Sequence, residues 1–110
     1  MSFDFDAQRA ETERIWAEMA AGHDLPATGL VDLHFEGGDS ADATEFMGWL
    51  EDEGFDVEHY PAEDDEPETV EVQTAEMPLS PETIHLEERR TTEAALRYGF
   101  RPVGWGFMGV

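Results

Sequence analysis

Asp32, His34 and Glu36 alternate along one stretch of the chain. In an extended strand all three side chains would project from the same face, offering two carboxylates and an imidazole to a zinc-like ion. A solvated strand face in a chain with 27 acidic residues produces the same string by composition alone. The other histidines, His23, His59 and His85, add no ligand spacing of the His-x-x-x-His kind. Paired carboxylates for general acid and base work cannot be singled out among so many. Thr28, Ser40, Ser80 and Thr83 read as cap and turn residues, with no His and Asp pattern to activate a hydroxyl. The absence of cysteine removes thiol nucleophiles, thiolate metal sites and disulfides. Gly37-Gly38 is followed by Asp39 rather than by a Gly-Lys element, so no phosphate cradle is built there. The expectation is a protein without catalytic residues, cofactor or metal. A metal- or small-ligand-binding domain stands as the alternative, with an unrecognised hydrolase behind it.

The elements that would carry these residues are marked by periodicity and punctuation. Phe5, Ile15, Trp16 and Met19 fall at near-helical spacing before Gly22, which predicts a leading helix over 4–21. Val31, Leu33 and Phe35 alternate with Asp32, His34 and Glu36, a half-buried strand over 30–36. After the Gly37-Gly38-Asp39 turn, Ser40 reads as an N-cap. Ala43, Phe46, Met47 and Leu50 then repeat at three and four up to Gly54. Residues 55–60 and 69–76 alternate on either side of the acidic loop Pro61 to Pro67 and read as a hairpin. Ser80-Pro81 opens a helix through Ile84, Thr91, Ala94, Ala95 and Tyr98 to Gly99. A last strand over 102–108 starts at Pro102, which suits a strand start or an edge.

Helix, then β-α-β-β-α-β, is the order of a ferredoxin-like α+β sandwich: a four-stranded antiparallel sheet with two helices on one face and an extra N-terminal helix. One domain over 1–110 is expected, with residues 28–108 as its βαββαβ core. Leu33, Phe35, Phe46, Leu50, Val57, Val70, Val72, Ile84, Val103 and Trp105 should be buried.

Charge narrows the partners. Twenty-seven Asp and Glu against six basic residues, all Arg, give a formal net charge of -21. Such a field repels phosphate backbones and anionic membranes, so direct nucleic-acid or lipid binding is disfavoured and a basic protein partner is favoured. The same acidity, spread over every segment in a chain without lysine, is equally the mark of a salt-adapted or GC-biased proteome. The acidic N-terminal stretch and the lack of a long apolar run predict a soluble, cytoplasmic chain.

Two candidate contact regions stand out. In Gly104-Trp105-Gly106 the glycines leave one face of the last strand bare, beside Met108, so that another element can approach the backbone. A core role for Trp105, with the glycines admitting the N-terminal helix or relieving twist, is the other reading. The run Glu63-Asp64-Asp65-Glu66 is the second region, a concentrated negative loop.

The Gly104-Trp105-Gly106 ending, preceded by Arg97-Tyr98-Gly99-Phe100, resembles the RraB family of regulators or inhibitors of ribonuclease E. Leu33-His34-Phe35, Gly54-Phe55-Asp56-Val57 and Val70-Glu71-Val72 extend the resemblance over about residues 5–108. Val103 stands where that family commonly has an aspartate. The resemblance implies a ferredoxin-like sandwich that binds an RNA-degrading enzyme, ribonuclease E or another RNA-processing protein with a basic segment. It implies modulation of that enzyme without catalysis or cofactor.

Overall fold

A computed structural model describes residues 3–22 and 24–107. In chain order the elements are α1 (Phe5–Gly22), β1 (Thr28–Gly29), β2 (Val31–Gly37), α2 (Ala43–Asp52), β3 (Asp56–Tyr60), β4 (Thr69–Gln73), β5 (Met77–Pro78), α3 (Pro81–Arg97) and β6 (Phe100–Phe107). The chain is a mixed α+β protein. Its main sheet has the order β3-β4-β2-β6 with antiparallel neighbours throughout, and β1 pairs β5 in a small separate ladder.

Local chemistry explains the boundaries. Ser80 and Thr83 form a reciprocal capping box at the start of α3, with Pro81 preset for the first turn. The α2 cap differs from the expectation. Asp42, not Ser40, accepts the Glu45 N–H at 3.1 Å, because a carboxylate three residues before that donor fits the orphan N–H more closely than Ser40 can. Strand β4 stops at Gln73 rather than running to 76. Thr74 leaves the ladder to take the Val31 N–H on its hydroxyl at 3.0 Å. Between α3 and β6, Gly99 has φ +83°, and a Cβ there would lie 2.8 Å from Ala41 Cα. Only glycine satisfies both the left-handed backbone and the close approach.

The inner sheet face and the helices enclose the core. Phe35, Phe46 and Phe100 form its aromatic centre, with ring centroids 5.3 Å apart for Phe35 and Phe46 and 5.1 Å for Phe46 and Phe100. Leu33, Phe35, Phe46, Leu50, Val70, Val72 and Ile84 are buried as expected, whereas Val57 and Trp105 are half-buried. Val103 is a correction, at 48% exposed. The β2–β6 register shifts between His34 and Phe35, so Gly104 faces His34 while Pro102 faces Phe35. Val103 is the extra residue of that bulge and turns out of the core, and Pro102 takes the inward position that simple alternation assigns to Val103.

Helix α1 packs on α3 through a seam that includes polar side chains from both helices. Within α1, Thr12 is the only buried residue. Gln8 Nε2 donates to Thr92 Oγ1 at 3.1 Å, and Thr12 donates its hydroxyl to Glu88 Oε1.

Candidate functional site

Antiparallel sheets commonly bury one face and solvate the other. Here the outer face is laid out in three rows across β3, β4, β2 and β6. The rows are Asp56, Gln73, Asp32 and Gly106; then Glu58, Glu71, His34 and Gly104; then Tyr60, Thr69, Glu36 and Arg101. Five carboxylates, those of Asp32, Glu36, Asp56, Glu58 and Glu71, thus share a surface four strands wide. Strict alternation on each strand puts them there, because the hydrophobic partners of the same strands are committed to the core.

The polar groups on this face are partly tied to one another. Gln73 Nε2 donates to Asp32 Oδ1 at 3.0 Å, and Arg101 pairs with Glu36 at 2.8 Å. His34 Nδ1 lies 3.4 Å from Glu71 Oε1. Tyr60 donates its hydroxyl to Glu58, and that bond, with the charges of Glu58 and Glu71 nearby, raises the phenol pKa. A shallow depression bounded by Asp32, His34, Asp56, Glu58 and Glu71 runs over β2, β4 and β3. Among the described residues, no three His, Asp or Glu side chains converge as metal ligands, so Asp32, His34 and Glu36 share a face without forming a centre.

The Gly104-Trp105-Gly106 segment divides as its alternation requires. Trp105 faces Leu33 across the β2–β6 ladder on the helix side. Gly104 and Gly106 stand on the outer face opposite His34 and Asp32, and a Cβ at either would meet nothing within 4 Å. The β6 end of the face is therefore bare backbone beside acidic side chains. Met108 lies outside the described residues, as does His23.

Glu63, Asp64, Asp65 and Glu66 form the exposed tip of the β3–β4 hairpin, closed by a bridge between Glu63 and Glu66 with Asp64 at φ +46°. This tip projects from the end of the β3–β4 hairpin, whereas the glycines lie within β6 at the opposite edge of the sheet. They are two ends of one acidic surface rather than one cluster.

A second concave region, unanticipated from the sequence, lies between α1 and β6. Glu88 borders it and is 8% exposed, with its pKa pushed up to about 7 by burial and opposed only by the Thr12 hydrogen bond. One turn earlier on α3, His85 is buried, and desolvation with the Arg9 and Arg89 charges lowers its pKa. The sequence carries a signal for this seam. Gln8 and Thr12 continue the 3-4 spacing of Phe5, Ile15 and Met19, and polar residues on a helix's packing stripe need partners.

The chain is an α+β protein whose acidic sheet face ends in bare backbone on β6. The family model described as "Regulator of ribonuclease activity B" matches residues 9–107, and the chain belongs to that RraB family. Among curated proteins, none matches it. The matched span takes in every strand and helix described above except the first turn of α1. Among the described residues, no helix is long and apolar enough to cross a membrane.

Proposed function

We propose that the protein is a non-catalytic, cytoplasmic regulator that binds an RNA-degrading enzyme through the outer face of its main sheet. The client is ribonuclease E or another RNA-processing enzyme, held by a basic segment laid across β4, β2 and β6. The observation that carries this reading is the alignment of Asp32, Glu36, Asp56, Glu58 and Glu71 on one uncovered face. Such a surface steers Arg- and Lys-rich chain and repels RNA, so it acts on the enzyme and not on its substrate. Gly104 and Gly106 let the client's backbone come close at the β6 end, and the Glu63 to Glu66 tip extends the field at the far edge. The strand order, with the first and third of the four long strands central, supports a ferredoxin-like sandwich in a single domain. No cofactor enters this function.

A direct test compares the protein with an Asp32→Asn, Glu58→Gln, Glu71→Gln variant as inhibitors of RNA cleavage by purified ribonuclease E. The variant should fold normally and inhibit with at least roughly tenfold weaker affinity, a loss of about 1.4 kcal/mol. Equal inhibition by the two proteins would reject the sheet face as the docking surface. Absence of inhibition by either would reject ribonuclease E as the client.

A further inference from the structure

The outer sheet face leaves the groove between α1 and β6 without a role. This groove, about 470 Å³, has walls that include Phe3, Ile15, Val103 and Trp105, and Gln8, Thr12 and Glu88 also line it. Its acceptors outnumber its donors. Thr12 satisfies one site on Glu88, whose carboxylate has about four lone-pair sites when ionised. Gln8 donates one of its two amide N–H groups to Thr92, and its buried Oε1 has no hydrogen-bond partner among the described residues. Asp4 and Glu11, also in the lining, add negative charge and no positive charge.

Apolar walls leading to buried acceptors fit a ligand with an aliphatic stem and a cationic, donor-rich head. A planar guanidinium suits this arrangement better than an ammonium, since it can fork onto a carboxylate and stack on an aromatic ring such as Trp105. We propose that the groove between α1 and β6 is an anchor site for one arginine side chain of the client, received by Glu88 at its inner end. The proposal rests on the protein-binding reading above and gives that contact a second, deep point of attachment. Binding pairs a carboxyl that is otherwise half-protonated near neutral pH, so the guanidinium displaces a proton from Glu88.

The groups around Glu88 set the pH behaviour to be read. Asp4 stands just before α1, and α1 itself supplies Glu11, with Arg14 holding the Glu11 pKa below its usual range. From α3 come His85 and Arg89. From β6 come Pro102, Val103, Gly104 and Trp105, none of which titrates in the neutral range. With a pKa of about 7, the ionised fraction of Glu88 rises from about 0.1 to about 0.9 between pH 6 and pH 8.

The experiment titrates n-butylguanidinium into the isotope-labelled full chain and follows amide and indole resonances at both pH values. Saturable shifts at Thr12, Glu88 and the Trp105 indole are expected, with affinity about tenfold higher at pH 8 than at pH 6. The Glu88→Gln variant should lose that rise, and His85→Gln should keep it. Shifts confined to Asp32, Glu58 and Glu71, or an affinity flat between the two pH values, would overturn the proposal. Either result leaves the sheet-face reading to stand or fall on the ribonuclease assay. Should Glu88→Gln fail to fold, the pH profile of the unaltered chain with n-pentanol as the neutral comparison decides: equal binding of the alcohol rejects a cation site.

Discussion

Thr12 of α1 donates its hydroxyl to Glu88 of α3, and both residues are buried. This one contact joins the leading helix to the rest of the fold through a titratable group.

It makes stability depend on pH in a definite direction. Glu88 is raised from 4.5 to about 7 in the folded chain, so its contribution is fully present below pH 4.5 and is lost as pH rises through 7. The shift corresponds to about 3 kcal/mol at 1.36 kcal/mol per unit. His85 runs the other way, because its folded pKa is lowered, and its contribution fades as pH falls below 6.5. Taking the difference between Glu88→Gln and the unaltered chain cancels His85. Urea unfolding from pH 4.5 to 8 should show the variant gaining about 3 kcal/mol on the parent by pH 7 and holding that margin above it. A constant difference would mean that Glu88 titrates as an ordinary carboxylate.

Leu50 is 0% exposed in the core beneath α2. Leu50→Ala should cost about 2–5 kcal/mol by chemical denaturation, the range for a cavity in a packed interior. A loss below roughly 1 kcal/mol would place that side chain at the surface.

Gly99 and Gly106 should respond oppositely to alanine. At Gly99 the new Cβ meets Ala41 at 2.8 Å from a left-handed backbone, and a loss of at least about 1–2 kcal/mol is expected. At Gly106 the new Cβ meets nothing within 4 Å, so stability should hold or rise by about 0.5–1 kcal/mol. Client binding should weaken only in Gly106→Ala. Thermal melts paired with the ribonuclease assay separate the two effects.

Asp42, Glu45, Glu51, Asp52 and Glu53 around α2, with the Glu63 to Glu66 tip, are exposed like-charged neighbours. Their repulsion should weaken as the screening length falls to about 3 Å at 1 M salt. The melting temperature should rise with sodium chloride from about 0.05 to 1 M, while affinity for a basic client falls. A flat or falling melting curve would exclude self-repulsion as a measurable cost.

Much of the fold was legible because its signals are local. Val31, Leu33 and Phe35 alternate, Ser80-Pro81 opens α3 and Gly99 follows its end, and Gly54 follows the end of α2, each needing only near neighbours to act. Val103 was misjudged because the bulge depends on pairing with β2 and changes which residues face inward on one side of it. Thr74 departs from β4 through a partner 43 residues away, which strand propensity does not see. At the candidate site, the bare backbone of Gly104 and Gly106 was readable from alternation. Its assembly with Asp32, Glu58 and Glu71 needed the strand order, and the burial of Glu88 needed the docking of α1.

The two outer strands bear on what kind of assembly the sheet allows. On β3, Asp56, Glu58 and Tyr60 point outward from a strand of five residues, and β6 carries Pro102 and a bulge at Val103. Each feature interferes with adding a further strand in register, by charge in one case and by a missing donor and a kink in the other. The sheet is thus poorly suited to growing sideways into ladders with other chains. A protein this acidic can therefore offer a broad flat surface to its surroundings without that surface becoming a template for polymerisation.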